Sequence, residues 1–274
     1  MKKGQTGYYD VLSAAVSDMQ EHGFDSESRL NNWLYDLRDA ADRSLVPEEM
    51  LTQHIKSVFI GQFDRLINKG AILRYHPGVQ QWQLEKIRPH LRSELDRRIM
   101  ASANLIKLNR AEMVDRTLRR FSGWATSIPV GGSDTDSRRE VKKSMSLADM
   151  SFIERRVMID QGHKLVAALN DIVANDAGAI AAVWHSHGHD DASYDARPDH
   201  LARDGRVYLI AGNWAAEKGL VKAGPDGRVD EITQPGQEVN CRCKYRYIYS
   251  INRLPDDMLT VAGKKAVGRV GIKN

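Results

Sequence analysis

The stretch Val239-Asn240-Cys241-Arg242-Cys243-Lys244-Tyr245-Arg246-Tyr247-Ile248-Tyr249 has the clearest strand pattern in the chain. Its odd-numbered positions hold valine, cysteine and tyrosine, and its even-numbered positions up to 246 hold asparagine, arginine and lysine. Alternation with a period of two predicts a β-strand with one buried face. Both cysteines of the protein, Cys241 and Cys243, lie on that face, which is therefore either core or a metal site. The pair Pro235-Gly236 just upstream predicts a tight turn that leads into the strand.

Composition and charge narrow the class of protein. The chain has 274 residues, 42% of them hydrophobic and 28% charged, which is typical of an ordinary globular protein. No apolar run approaches the roughly 18 residues that a membrane span needs, and the polar start lacks the apolar segment of a signal peptide. We therefore expect no membrane association and a cytosolic origin, where two cysteines one residue apart stay reduced. The formal charge of +4 comes with scattered basic doublets, which fit solvated helix faces better than one nucleic-acid surface.

Helical spacing of apolar residues dominates the first half of the chain. Three stripes predict three helices. The first begins near Tyr8, and the second follows Asp25 or Ser26, either of which could cap it. The third begins at Pro47 and ends at Gly70. A longer stripe over residues 81–121 predicts a fourth helix, which Pro89 should break or kink. Glycine, serine, aspartate and charge without an apolar period then predict a linker, and a further helix follows from about residue 150.

The last third of the chain predicts a short sheet. Residues 179–184 and 207–210 are short apolar runs between turn residues, long enough for buried strands and too short for helices. With the strand over residues 239–249 they predict an α+β fold, a helical N-terminal part followed by a small mixed domain. We place a helical region at residues 1–126, a linker at 127–145, the mixed domain at 146–254, and a basic tail at 255–274 that is not packed as core.

A series of short motifs in the mixed domain carries a family resemblance. Trp184 is followed by Arg197-Pro198-Asp199-His200, by Asp204-Gly205, by Pro235-Gly236 and by Asn240-Cys241-Arg242-Cys243. In order and spacing this series resembles the C-terminal domain of phage Mu F-like minor head proteins, the head morphogenesis family of tailed bacteriophages. The resemblance covers residues 145–250, and in that family a helical region precedes the domain.

The resemblance implies a minor structural head protein at the portal vertex, involved in head assembly, DNA packaging or DNA ejection and without established enzymatic activity. It implies as partners the phage portal protein, the major capsid or scaffolding protein, and packaged double-stranded DNA. Residues 1–126 would then dock on the portal or capsid, and the protein would be found in the virion and, during assembly, in the host cytoplasm. The His-rich segment 185–191 looks like an insertion without a family role.

Two interpretations of the motif residues are structural. In the first, Arg197, His200, Asp204 and Asn240 form a buried hydrogen-bond network that fixes the loops of a small domain. In the second, Cys241 and Cys243 bind zinc with His200 and one of three nearby histidines, His185, His187 or His189, with His187 the candidate that completes the set. Cysteines one residue apart on a straight strand have Cα atoms roughly 7 Å apart, so they must lean together to share an ion.

A third interpretation is catalytic. The His-rich segment and His200 would hold a divalent metal in a nuclease or another nucleic-acid-processing phage protein, or His200 and Arg197 would serve acid-base chemistry on RNA. The sequence has no glycine-rich phosphate loop and no nucleophile elbow to support it. We therefore expect no enzymatic activity. Basic residues of the tail, Lys264, Lys265 and Arg269, are candidate nucleic-acid contacts.

Overall fold

The structure, a computed structural model, describes residues 7–133, 138–147, 150–187 and 197–268. These residues are mostly helical and contain one small antiparallel sheet, which confirms the α+β prediction. The helices are α1 (Tyr8–His22), α2 (Glu27–Ser44), α3 (Glu48–Phe63), α4 (Gln81–Ala125), α5 (Arg138–Ser144), α6 (Met150–Asp176), α7 (Pro198–Ala202), α8 (Trp214–Glu217) and α9 (Val261–Ala266). The strands are β1 (Ala181–His185), β2 (Val207–Leu209) and β3 (Lys244–Ile248). No helix within the described ranges is long and apolar enough to cross a membrane.

The chain forms two compact units that differ from the predicted domains. The first unit contains Met1–Ile55 and Ala101–Val157, and the second contains Lys56–Met100 and Met158–Asn274. The predicted boundaries at residues 126 and 146 were placed where the apolar period of the sequence is interrupted. The observed division instead falls inside helices α3, α4 and α6, because each of them contributes residues to both units.

The first unit is held by the apolar stripes that the sequence predicted. Leu12, Val16 and Met19 of α1 are completely buried, and the hydroxyl of Ser26 caps α2 by accepting the N–H of Arg29 at 3.3 Å. The described part of the predicted linker is packed in the same core. Its buried apolar side chains are Ile128, Val141 and Met145. Their burial ties this charge-rich segment to the first unit, although Val130 of the same segment is 77% exposed.

The second unit starts with a break in helical geometry after α3. Asp64–Asn68 forms a π-helical turn, Gly70 follows with a φ of 68°, and Ala71–Tyr75 forms a 3₁₀ turn. The predicted stop at Gly70 therefore agrees with the structure. Of the two predicted effects of Pro89, a break or a kink, the break was wrong, because α4 continues through this residue from Gln81 to Ala125. Leu84, Ile87, Leu91 and Leu95 are buried on both sides of Pro89, so packing offsets the hydrogen bond that proline cannot donate.

The sheet of the second unit has the order β2-β1-β3, with both neighbours antiparallel to β1. Strand β1 is the predicted apolar run, and its Trp184 lies opposite Tyr245 of β3. The predicted strand over residues 239–249 was too long, since β3 begins only at Lys244. His185, the last residue of β1, pairs with Lys244, and no strand of the described ranges pairs with residues upstream of Lys244. Val239, placed on the buried face by its parity, is 64% exposed.

The residues after β3 also differ from the prediction of an unpacked tail. Met258 and Leu259 are buried in the apolar cluster on the other face of the sheet. Helix α9 follows, capped by Thr260, and its Gly263 lies against the carbonyl oxygen of Leu220 so closely that a Cβ there would be 2.0 Å away. The segment is basic in sequence, but its helix α9 contacts the rest of its unit.

Candidate metal centre

Three side chains that are far apart in the sequence meet in the interior of the second unit. The imidazole Nδ1 of His200 lies 3.7 Å from the sulfur of Cys241 and 3.6 Å from the sulfur of Cys243. All three residues are buried, and their ligand atoms lie within 4.8 Å of one another. The cysteines are not bridged to each other. Two sulfurs and an imidazole nitrogen that face one point could hold a metal ion.

Helix α7 brings His200 to this point. Arg197 precedes the helix with extended backbone and Pro198 occupies its first position, where a proline needs no N–H partner. Gly205 has a φ of 75° and follows the helix at the turn into β2, as the Asp-Gly pair predicted. The carboxylate of Asp204 accepts the backbone N–H of Ser186 at 2.7 Å, so the loop after α7 is tied to the end of β1.

A sharp turn before β3 brings the two sulfurs together. Asn240 has a φ of 60°, a left-handed conformation that asparagine tolerates better than most residues, and its N–H donates to the Asp160 carboxylate at 2.6 Å. Gly236 has a φ of 79°, and a Cβ at this position would lie 2.9 Å from the Cβ of Ala167. Cys241 and Cys243 therefore lie in a bent loop and not on the straight strand that the sequence predicted, so their sulfurs can approach each other.

Backbone amides surround both sulfurs. The N–H of Gly236 donates to the Cys241 sulfur at 3.4 Å, and the N–H of Cys243 donates to the same atom. The N–H of His187 donates to the Cys243 sulfur. The Cys243 thiol lowers the pKa of Cys241 to about 6, and the N–H groups of Gly236 and Cys243 act in the same direction, whereas burial opposes them. The same pairing with Cys241, together with burial, raises the pKa of Cys243. The pair therefore holds one thiolate readily, and a cation would stabilise the second.

The His200 ring is fixed on its other sides. Its edge meets the indole of Trp184, with ring centroids 5.2 Å apart. The Nε2 atom makes no hydrogen bond of ordinary geometry within the described residues, but the Glu238 carboxylate lies 3.5 Å from it. Arg197 holds that carboxylate through an ion pair of 2.9 Å and also donates to the carbonyl of Val239. A carboxylate on the far side of a ligating imidazole orients the ring and makes it more basic.

The structure thus brings most of the motif residues to one place but gives them different tasks. His200, Cys241 and Cys243 form the cluster, Trp184 packs on it, and Gly236 and Asn240 shape its loop. Of the four residues predicted to form a buried hydrogen-bond network, only His200 is buried; Arg197 and Asn240 are half-buried and Asp204 is exposed, so the prediction that the network is buried was wrong. Pro235 and Arg242 line a cavity beside the cluster.

Among the described residues, the other predicted ligands are not part of the cluster of His200, Cys241 and Cys243. His187 lines the same cavity as Arg242, but its ring is not part of the group that meets within 4.8 Å. His185 ends β1, opposite Lys244. His189 lies outside the described residues. Of the candidate nucleic-acid contacts, Lys264 is half-buried and Lys265 is exposed, both on α9, whereas Arg269 lies outside the described residues.

One buried polar group was missed by the sequence analysis. His76 is 0% exposed, and its Nδ1 lies 2.6 Å from the Tyr249 hydroxyl. Its Nε2 lies 2.9 Å from the Asn170 side-chain oxygen, and the ring stacks on Tyr247. Burial lowers the pKa of His76 to about 4. The partners lie 94 and 173 residues further along the chain, so no local pattern could have indicated them.

No protein-family model matches the chain, and neither a curated protein nor a solved structure was found to be similar to it.

Proposed function

We propose that this protein is a minor structural head protein of a tailed bacteriophage, with a C-terminal fold stabilised by a metal ion. The observation that supports this function is the convergence of Trp184, His200, Cys241 and Cys243 in one buried cluster. All four belong to the series of motifs, from Trp184 to Cys243, that resembles the Mu F-like family. Motif residues that define a domain are expected to meet in space, whereas a chance series has no reason to do so.

The role that follows is assembly, not catalysis. The protein would associate with the portal vertex, with the helical residues 1–126 contacting the portal protein and the capsid or scaffolding protein as further partners. Packaged DNA would lie near the C-terminal domain, and the protein would be carried in the virion after assembly in the host cytoplasm. A cluster buried among Trp184 and the sheet has the features of a structural site, because it is enclosed by side chains.

The ion we propose is zinc. Typical zinc bonds are about 2.3 Å to thiolate sulfur and about 2.0–2.1 Å to imidazole nitrogen, so tetrahedral angles separate nitrogen and sulfur by about 3.6 Å. The two observed nitrogen–sulfur separations of 3.7 and 3.6 Å match this value. Soft thiolates with one imidazole favour zinc over magnesium or calcium, which prefer oxygen ligands.

The proposed function is tested by asking whether the protein associates with the portal protein and with virions. The full-length protein, co-expressed with the portal protein of the same phage, should co-purify with it, and mass spectrometry should find the chain in purified virions. A chain that neither binds portal protein nor occurs in virions would not be a minor head protein.

The metal is tested by elemental analysis of protein purified without added chelator. We expect about one zinc per chain in the wild type and loss of zinc in the double variant Cys241→Ser/Cys243→Ser. Tyr245→Phe is the matched control, because it alters a buried side chain next to the cluster but no ligand, and it should keep its zinc. A wild type without any bound metal would leave the cysteines as core residues.

The fourth ligand is identified by the same assay. His187→Ala and His189→Ala are compared separately, and the variant that loses zinc identifies the ligand. Retention of zinc in both would assign the fourth position to water or to another group.

A further inference from the structure

A second site lies next to the metal cluster, in the same unit. It is a cavity of about 250 Å³ between the turns that follow α3, the middle of α6 and the start of β3. Arg65 and Arg74 enter from the turns, Arg242 and Lys244 from the segment that contains the cysteines, and Cys243 forms part of the wall. Nothing in the family resemblance or in the proposed metal centre assigns a role to this cavity.

The wall of the cavity is strongly cationic. Arg65, Arg74, Arg242 and Lys244 line it, with one carboxylate, Asp171, among the described residues. That carboxylate already accepts the hydroxyl of Tyr247, and burial raises the pKa of Asp171 to about 6. The cations therefore outnumber the negative charge within their reach.

Three of these cations lack an acidic partner. Arg65, Arg74 and Lys244 form no salt bridge with any carboxylate in the described ranges of the chain. Elsewhere the pattern is different: Arg88 and Arg97, for example, each pair with a glutamate on their own helix. A group of cations around one cavity repels itself, and an anion between them would remove that cost.

The cations are held in place by local structure. The guanidinium of Arg74 lies 4.6 Å and the ammonium of Lys244 lies 5.6 Å from the centre of the Tyr75 ring, so one ring positions two charges. Arg65 projects from the π-helical turn Asp64–Asn68, a backbone irregularity that is frequent at functional sites. The amide of Gln81 donates to the carbonyl of Ile67 at 2.9 Å and secures this turn.

We propose that this cavity is a binding site for a phosphate group, carried by a nucleotide or by a nucleic-acid backbone. Arginine offers a planar fork of donors that matches phosphate oxygens, and lysine adds a point charge. A volume of about 250 Å³ accommodates a phosphate with part of its attached sugar. The proposal does not rest on the head-protein function, since it depends only on the charges and shape of the cavity.

The test is a calorimetric titration of the full-length protein with three probes: inorganic pyrophosphate, a nucleoside monophosphate and a short single-stranded oligonucleotide. The variants are Arg65→Gln/Arg74→Gln and Lys244→Gln. Arg246→Gln is the matched control, because Arg246 is an exposed cation two positions along β3 from Lys244 but does not line the cavity. Near-physiological salt suppresses unspecific attraction between distant charges.

We expect each cavity variant to weaken binding by about tenfold or more, the effect of removing one charged hydrogen bond, and Arg246→Gln to bind like the wild type. Binding of the oligonucleotide with this pattern would identify a nucleic-acid backbone as the source of the phosphate, and binding of the small probes alone would identify a free nucleotide. The proposal is overturned if no probe binds, or if Arg246→Gln loses as much affinity as Lys244→Gln. Thermal melting of each variant checks that these exposed substitutions leave the fold intact.

Discussion

Gly236 combines three requirements in one residue. Its φ of 79° belongs to the left-handed region, its α-carbon faces the Cβ of Ala167, and its N–H donates to the Cys241 sulfur. An alanine would meet backbone strain of about 1–2 kcal/mol and a clash that typically costs about 1–3 kcal/mol. Gly236→Ala should therefore lower the free energy of unfolding by about 2–5 kcal/mol in urea titrations and weaken zinc binding, since relief of the clash moves the N–H from the sulfur.

Gly219→Ala separates these effects. Gly219 has a similar φ of 67°, but nothing lies within 4 Å of a Cβ built there. It should show the backbone cost alone, about 1–2 kcal/mol, with unchanged zinc content. Equal effects of the two substitutions would mean that neither the contact with Ala167 nor the N–H to the sulfur contributes.

Burial raises the pKa of Asp171 and lowers the pKa of His76. The two shifts make the stability of the fold depend on pH in opposite directions. The pKa of Asp171 is raised to about 6, so the folded carboxyl keeps its proton between about pH 4 and 6, where the unfolded one loses it. Stability from Asp171 is complete below that range and lost as pH rises through it. The pKa of His76 is lowered to about 4, so only the unfolded imidazole is protonated between about pH 6.5 and 4. Stability from His76 is complete above that range and lost as pH falls.

Asp171→Asn should expose the contribution of His76. Each shift corresponds to about 3 kcal/mol, and in the wild type the two nearly cancel between pH 4 and 6. The amide keeps an acceptor for Tyr247 but cannot ionise. We expect Asp171→Asn to be more stable than the wild type by up to about 3 kcal/mol at pH 7, an advantage that disappears towards pH 4. Urea unfolding at several pH values measures it, with the exposed Asp176→Asn as control; a constant difference across this range would contradict the assignment.

At the residue scale, sequence reasoning succeeded where a residue type has few structural uses. The two cysteines and His200 lie together as the zinc hypothesis requires, and the proline-glycine and aspartate-glycine pairs form the turns that they predicted. The cations of the cavity could not be found in this way, because Arg65 and Arg74 are ordinary surface residues until α6 and β3 are placed beside them. His76 was missed for the same reason, since its partners are remote in sequence.

Among the elements, α4 tolerates an interior proline whose side chain is exposed. Proline in a helix interior is about 3 kcal/mol less favourable than alanine, and no buried surface is lost when it is replaced. Pro89→Ala should therefore raise the free energy of unfolding by up to about 3 kcal/mol, measured by urea titration, while His90→Ala, the exposed neighbour, should change it little. No gain in Pro89→Ala would show that the helix is already relaxed around the missing hydrogen bond.

The strand β3 shows why a period of two predicts burial better than pairing. Cys241, Cys243, Tyr245 and Tyr247 are all buried as the alternation predicted. A strand also needs a partner, and β1 ends at the residue that pairs with Lys244. The length of β1 and the left-handed Asn240 together decide where β3 begins, and neither can be read from residues 239–249 alone.

On the scale of the whole molecule, the two units have different means of stabilisation. The first is a helical unit with a large apolar cluster that includes Leu12, Phe121 and Val141. The second has a sheet of three short strands with apolar clusters on both faces, and the candidate metal centre lies in one of these clusters. A small sheet with long loops gains more from a bound ion than a helical unit does, because the ion replaces contacts that short strands cannot supply.

Zinc should therefore stabilise one unit selectively. A ligand at about 100 times its dissociation constant stabilises the folded state by about 2.7 kcal/mol, and this applies to the part of the chain whose opening releases it. We expect hydrogen exchange followed by mass spectrometry to show slower exchange with zinc than with chelator around residues 197–205 and 236–248. Peptides of α1 and α2, which belong to the first unit, are the internal control and should exchange at the same rate in both conditions. Equal protection of both units would mean that the metal acts on the molecule as one cooperative body, and no protection at Cys241 and Cys243 would remove the site.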